Sequence, residues 1–225
     1  MIRVLLADDQ ESVRLAFRTI LGAAPDIEVV GQAADGVEAL ELATRLRPDV
    51  ALVDVRMPRM DGLELTRKLT DASPPVRVVV VTTYDLDAYV HTALRHGACG
   101  FLLKHSGAAL LVSAVRAAVA GDALISPEVT VRLLRELRAD APALQGRLSV
   151  RPAEPKPHRL TDRELDVVAL VADGRTNAEI GAQLYITAGT VKTHLASIQQ
   201  KLGVANRVAI AAWAWDTGHR RPATP

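Results

Sequence analysis

The sequence predicts an α/β fold, a doubly wound parallel sheet of five strands, followed by a separate small all-α unit. Three observations carry this. Over the first 120 or so residues, short apolar runs alternate with helical periods five times; this pattern builds a parallel sheet with helices on both faces. Two of the runs, Val50-Ala51-Leu52-Val53 and Val76-Arg77-Val78-Val79-Val80-Val81-Thr82, are apolar on both sides of the chain, as strands between two helix layers must be. From Leu160 onward no strand pattern remains, only short helical periods with strong start signals.

Taken in order, residues 2–7 form the first strand and end in Asp8-Asp9. Val13, Phe17, Ile20 and Leu21 then fall on one helix face, with Arg14 and Arg18 off it, until Pro25-Asp26 breaks the pattern. Ile27 to Ala33 is a second strand, rich in β-branched residues. Asp35-Gly36 turns the chain into a helix carrying Val37, Leu40, Leu42 and Leu46, which Pro48 stops. The third strand, Val50 to Val53, runs straight into Asp54. After it Met57-Pro58-Arg59-Met60-Asp61-Gly62 leads to a helix with Leu63, Leu65 and Leu69, ended by Pro74-Pro75. The fourth strand finishes at Thr82, and a helix from about Leu86 to His96 stops at Gly97. Cys99 to Leu103 makes the fifth strand, with Lys104 at its exit, and an Ala- and Leu-rich helix from about Gly107 to Ala120 ends at Gly121. Right-handed crossovers make the flavodoxin-like arrangement the economical one for such a chain. The first domain is placed at 1–121.

Residues 122–158 read as a linker holding one helix, at about 127–138, opened by Ser126-Pro127. From 139 to 158 there are four prolines, one glycine and no hydrophobic period. A second domain, 159–220, then shows four short helices. Thr161-Asp162-Arg163-Glu164 and Thr176-Asn177-Ala178-Glu179 are capping boxes, in which hydroxyl and carboxylate satisfy the orphan backbone donors of a helix start. Thr187 caps a third helix with Val191, Leu195, Ile198 and Leu202 at helical spacing, ended by Gly203. Asn206 opens the fourth, from Arg207 to about Thr217.

At 225 residues, 49% of them hydrophobic, the chain can fill two cores. Residues 1–120 hold 13 Lys+Arg against 15 Asp+Glu, and residues 155–225 hold 9 against 6. An excess of three charges is by itself a weak pointer to an anionic partner such as nucleic acid. The single cysteine, Cys99, excludes an intrachain disulfide and a Cys-rich metal site, and reads as a small buried apolar residue. Neither a signal peptide nor a membrane-length apolar stretch is present, so a soluble cytoplasmic protein with no membrane partner is the plain reading.

The strand exits carry the chemistry. In a parallel sheet they lie on one edge, so Asp8, Asp9, Asp54, Thr82 and Lys104 converge there. Taken singly, Asp54 reads equally well as a strand-end cap, Thr82 as another, and Lys104 as a solvated charge. As a set, three acids would repel one another unless a cation intervened, and Mg²⁺ is the natural one. Lys and Thr are then placed to contact anionic oxygens of a group attached to Asp54, and an aspartate can attack phosphorus.

This set, with Met57-Pro58-Arg59-Met60-Asp61-Gly62 and Gly97-Ala98-Cys99-Gly100-Phe101-Leu102-Leu103-Lys104, resembles the receiver domain of two-component response regulators. The resemblance implies that Asp54 is the phosphoacceptor, that Asp8, Asp9, Asp54 and the backbone carbonyl of Arg56 hold Mg²⁺, and that Thr82 and Lys104 contact the phosphoryl group. It makes Phe101 the aromatic whose rotamer reports the state. One departure is His105, where the family often has Asp or Pro.

The last sixty-odd residues, with Leu160-Thr161-Asp162-Arg163-Glu164-Leu165, Gly174-Arg175-Thr176-Asn177-Ala178-Glu179-Ile180 and Thr190-Val191-Lys192-Thr193-His194-Leu195, resemble the helix-turn-helix of the NarL/FixJ (LuxR-type) regulators. With Val191, Leu195, Ile198 and Leu202 inward, Thr190, Lys192, Thr193, Ala196 and Gln199 face out, toward a DNA major groove. The resemblance makes Lys192 and Thr193 the base readers; Ala196, at a third reading position, can only touch a thymine methyl. Thr176, Thr187, Thr190, Lys201 and Arg207 are phosphate candidates. Trp213 and Ile210 are the dimer candidates, with Trp213 and Trp215 readable as core or interface. The implied protein is a transcriptional regulator of double-stranded DNA, phosphorylated by a sensor histidine kinase and a homodimer when active. The alternatives are a regulator controlled by a ligand or partner without phosphorylation, and a phosphatase with an aspartyl nucleophile. Such a phosphatase usually needs a second acid two residues on, and Arg56 stands there.

Overall fold

A computed structural model of the chain describes residues 1–83, 87–126, 129–130 and 160–219, which belong to two compact units, Met1–Arg132 and Leu133–Pro225. The first unit alternates strand and helix: β1 (Ile2–Ala7), α1 (Glu11–Gly22), β2 (Ile27–Ala33), α2 (Gly36–Leu46), β3 (Val50–Val53), α3 (Gly62–Thr70), β4 (Arg77–Thr82), α4 (Asp87–Arg95), β5 (Gly100–Leu103), α5 (Ala108–Ala120) and β6 (Leu124–Ile125). The strands are all parallel, in the order β2-β1-β3-β4-β5-β6. From β1 the chain moves one way to β2 and then the other way to β3. The crevice of such a sheet lies at this reversal, outside the carboxyl ends of β1 and β3.

The sheet has six strands, not the five expected. The sixth pairs Leu124 with Gly100 and Ile125 with Phe101, and Ser126 N–H donates to Phe101 O at 2.9 Å. Two residues carry no period, so backbone pairing to the open edge of β5 creates this strand, and the stretch assigned to the linker joins the first unit. Of the helix expected at about 127–138, only residues 129 and 130 are described, and they are helical. The rest of it, and the linker from 139 to 158, lie outside the described residues.

The two-sided strands pack as their composition requires. Val4, Leu6, Val50, Leu52, Val79, Val81 and Leu102 meet Phe17 and Leu21 of α1 and Leu111 and Val115 of α5. The alternate residues, Leu5, Ala51, Val53, Val78, Val80 and Phe101, are just as buried on the opposite face, the one toward α2 and α3. Full burial of one such side chain is worth about 1.5–3 kcal/mol, so the two layers hold the strand ends in fixed register.

The second unit holds α6 (Asp162–Ala172), α7 (Asn177–Leu184), α8 (Ala188–Leu202) and α9 (Arg207–Asp216). Both capping boxes form, Thr161 with Glu164 and Thr176 with Glu179. Thr187 caps α8 by accepting from Thr190 N–H, and Asn206 caps α9 by accepting from Ala209 N–H at 2.8 Å. Val168, Leu170, Ile180, Val191, Leu195, Ile198 and Ile210 make its core. Among the described residues no helix is long and apolar enough to cross a membrane.

Candidate functional site

Backbone hydrogen bonds just past the strands bring the polar residues together. Asp54 N–H donates to Ala7 O at 2.8 Å, carrying the β1–β3 pairing one residue on and setting Asp54 beside Asp8. Lys104 N–H donates to Thr82 O at 2.9 Å and does the same for β5 and β4. The Lys104 ammonium then sits 2.7 Å from Asp8 Oδ2 and 3.1 Å from Asp54 Oδ2, with all three side chains deeply buried. The other oxygens take backbone donors, Asp8 Oδ1 from Gln10 N–H at 2.9 Å and Asp54 Oδ1 from Val55 N–H at 2.8 Å. Asp9 is exposed, and one carboxylate oxygen from each of Asp8, Asp9 and Asp54 falls within 4.8 Å of the others. Thr82, at the carboxyl end of β4, and Phe101, paired with Val80 on the neighbouring β5, are each 1% exposed.

Burial pushes the Asp54 carboxyl above its usual range; Lys104 pulls it back and the Asp8 charge pushes it further, leaving it raised. For Lys104 burial works downward, but the Asp8 hydrogen bond and the Asp54 charge outweigh it and the ammonium is held more firmly than usual. One ammonium thus faces three carboxylates, a donor set that suits a hard divalent cation. His105 follows Lys104 through a trans bond, the cis peptide among the described residues being Ser73–Pro74. Its turn is closed by Ser106, whose N–H donates to Leu103 O at 2.9 Å and whose Oγ accepts from Leu103 N–H at 3.1 Å.

The loop after Asp54 is fitted closely against it. A Cβ on Gly62 would lie 1.9 Å from Asp54 O, and one on Gly36 would lie 2.4 Å from Met60 O, so both positions need glycine for backbone to approach backbone. Asp35 caps α2 through Oδ1, accepting from Val37 and Glu38 N–H, and its Oδ2 accepts from the Arg59 guanidinium, with Nε at 2.8 Å. Desolvation opposes that carboxylate, yet Arg59 and the α2 backbone hold its pKa below the usual range. Sequence reasoning takes Asp35 only as a turn residue; its ion pair with Arg59, twenty-four residues on, has no local signal.

A cleft of about 470 Å³ opens beside Asp9, between Arg56, Met57, Leu63 and Tyr89. The Arg56 guanidinium carbon lies 6.0 Å from the centre of the Tyr89 ring, which gives this side chain a place in the wall between the loop after β3 and α4. Cys99 donates its thiol to Val78 O at 3.2 Å, and desolvation pushes its pKa to about 11, the profile of an inert packing residue.

On the second unit, Thr187, Thr190, Lys192, Thr193 and Ala196 are exposed along α8, and Val191, Leu195 and Ile198 are buried beneath them. Gln199 is half-buried and Gln200 is exposed in its stead. Thr176 caps α7 at the surface.

Of the expected roles, that of Ile210 is corrected, and Lys201 and Arg207 have partners within the unit. Lys201 Nζ lies 2.7 Å from both oxygens of buried Glu164, so its charge is engaged within the unit. Arg207 donates to Asn177 Oδ1 at 2.6 Å and to Arg175 O, tying α9 to the start of α7. Ile210 is 0% exposed in the core and cannot be a dimer contact. Trp213 is half-buried against that core, and its ring stacks on His219 with centroids 5.0 Å apart. Glu164 itself goes unnoticed in the sequence beyond its capping role. It also accepts from Ser197 Oγ at 2.7 Å, and although desolvation pushes its pKa up, Lys201, the Thr161 backbone and Ser197 bring it down to about 2.

Comparison with known proteins covers both units. Residues 4–116 match the response regulator receiver domain, and residues 158–214 match the bacterial regulatory proteins of the luxR family. The chain is 41% identical over 215 residues to the transcriptional regulatory protein LiaR of Bacillus subtilis, covering 95% of this chain and 97% of LiaR. It is 38% identical to the transcriptional regulatory protein DegU of Brevibacillus brevis, covering 92% and 89%. Among solved structures, the response regulator ChrA of a heme-sensing two-component system is 35% identical, covering 97% of this chain and 98% of that one with a TM-score of 0.52.

Proposed function

The chain belongs to the response regulators that join a receiver domain to a luxR-family helix-turn-helix, a family of DNA-binding transcriptional regulators, and from that premise we propose that phosphorylation of Asp54 by a sensor histidine kinase controls its dimerisation and its binding to promoter DNA. The observation that supports this most directly is the Lys104 ammonium shared between Asp8 and Asp54, with Asp9 completing the cluster.

The chemistry follows from these residues. A carboxylate oxygen of Asp54 forms a P–O bond while the P–N bond of a phosphohistidine breaks, its electron pair leaving with the imidazole. Lys104 and the Thr82 hydroxyl, which share the edge with Asp54, receive the phosphoryl oxygens. Asp8, Asp9, Asp54 and the Arg56 backbone carbonyl would hold Mg²⁺, which neutralises charge on the transferring group when bound. Lys104 turning from Asp8 to a phosphoryl oxygen loosens the β1–β5 tie, and Phe101, packed inward at 1% exposure, stands three residues before Lys104 on β5. Only the difference in phosphate affinity between two receiver conformations can drive the response.

In the second unit Lys192 and Thr193 read base edges from α8, and Ala196 offers a methyl contact. Thr176, Thr187 and Thr190 contact phosphates from helix starts. Two units pair on a two-fold site, Trp213 being the residue of α9 offered for that pairing.

The test is a gel-shift titration of the full chain against a duplex that it selects from a random-sequence pool. Beryllofluoride with Mg²⁺ is expected to tighten binding about tenfold, within the usual range of allosteric coupling, and Asp54→Asn should abolish the effect. Equal affinity with and without the mimic would sink phosphate control.

A further inference from the structure

Tyr185, in the turn between α7 and α8, is 95% exposed, the most of any large apolar residue among those described. Its backbone is left-handed, with φ 56° and ψ 41°. Both properties oppose folding. A bulky residue pays steric strain in this conformation, which glycine would adopt freely. A phenol ring left in water contributes no burial. The turn itself needs only the backbone here: the N–H groups of Tyr185 and Ile186 both donate to Gly181 O, closing α7. The backbone is accounted for, and the ring is not.

Its neighbours supply the reason. The next polar residues on the surface are Thr187, Thr190, Lys192 and Thr193, at the start of α8. A helix with its start in the major groove has the turn before it over the sugar-phosphate strand that borders the groove. A tyrosine there presents a flat apolar face to deoxyribose and one neutral donor to a phosphate.

We infer that Tyr185 is a DNA-backbone contact, its ring packed on a deoxyribose and its hydroxyl donating to a phosphate oxygen, and that this contact sets the register of α8 in the groove. The inference rests on the reading that α8 enters DNA. A contact of this kind strengthens binding to every sequence alike. It releases no counterion, so it leaves the salt dependence untouched.

The experiment uses the full chain and a duplex selected by the wild type from a random-sequence pool, with affinity measured by anisotropy at several salt concentrations. Tyr185→Ala should weaken binding about tenfold and Tyr185→Phe roughly threefold, the loss of one hydrogen bond with and without the ring. The salt slope should stay constant for both, whereas Lys192→Ala should lower it by about one. Tyr185→Gly separates affinity from folding: it should melt higher than the wild type, relieved of strain, yet bind as weakly as Tyr185→Ala. Binding of the Ala and Gly variants within about twofold of the wild type overturns the inference. Tighter binding overturns it too, because the ring would then be serving a contact within the protein. If Lys192→Ala also leaves affinity and slope unchanged, the placement of α8 in the groove fails first and the inference falls with it.

Discussion

Two carboxylates, one in each unit, are almost equally shielded from solvent and have opposite fates. Asp54 is 5% exposed and Glu164 is 3% exposed. Asp54 shares a single ammonium with Asp8 and takes one backbone N–H, and burial leaves its carboxyl above the usual range. Glu164 receives Lys201 on both oxygens, Ser197 Oγ on one and the Thr161 N–H and hydroxyl on the other, and its pKa falls to about 2 in spite of desolvation. A carboxylate saturated with donors ties helices together. One left short of donors keeps lone pairs for an incoming cation or electrophile and destabilises the fold until they are used.

The largest effect that could break this contrast is on Glu164. Replacing it by Ala strands Lys201 and the Thr161 N–H that caps the start of α6, and removing one partner of a buried pair costs about 3–5 kcal/mol. Lys201 is 32% exposed, so the lower end applies. Both tryptophans of the chain, Trp213 and Trp215, lie in α9, so urea unfolding followed by tryptophan fluorescence reads this unit alone. A loss below about 1 kcal/mol would reduce Glu164 to an ordinary cap residue.

The same contact has a pH signature. The folded pKa of about 2 lies below the ordinary glutamate value of 4.5. Glu164 therefore contributes stability that is complete above pH 4.5 and is lost as pH falls toward 2. The interval corresponds to at most about 3 kcal/mol at 1.36 kcal/mol per unit. Acid unfolding by tryptophan fluorescence should show this loss in the wild type and lack it in Glu164→Gln. An equally steep acid transition in the variant would assign the effect to other carboxylates.

How much of this was legible depended on the range of the signal. Asp8, Asp54, Thr82 and Lys104 are readable because each ends a run of apolar residues, and a parallel sheet puts all such ends on one edge. The caps at Thr161, Thr176 and Thr187 are readable because capping is decided within three residues. Glu164–Lys201 and Asp35–Arg59 are pairs of flexible side chains far apart in sequence, with no local period to announce them. Lys201 and Arg207, whose partners are equally distant, look like solvent-facing cations free for DNA until the fold shows them engaged. Ile210 is ambiguous for a different reason: α9 is rich in alanine and apolar on several sides, so its sequence does not say which face is inward. The two residues of β6 are too few for any alternation.

The smallest effect has the opposite sign and comes from the other carboxylate. Asp54→Asn keeps the shape of the side chain and an oxygen for Val55 N–H, and Lys104 retains Asp8 at 2.7 Å. An acid whose folded pKa is raised destabilises the fold at pH values above its titration, and the penalty fades as pH falls and the folded group takes up its proton. At pH 7 and in a chelator, the variant should therefore melt slightly higher than the wild type, by on the order of 0.5 kcal/mol or a degree or two. The gain should appear in the calorimetric transition that tryptophan fluorescence does not follow, and it should shrink in acid as the wild-type carboxyl protonates. A variant that melts lower at pH 7 would mean that Lys104 needs both acids and that Asp54 is structural in the way Glu164 is. A variant that melts higher yet cannot be phosphorylated would show the residue kept at a cost to stability for its chemistry.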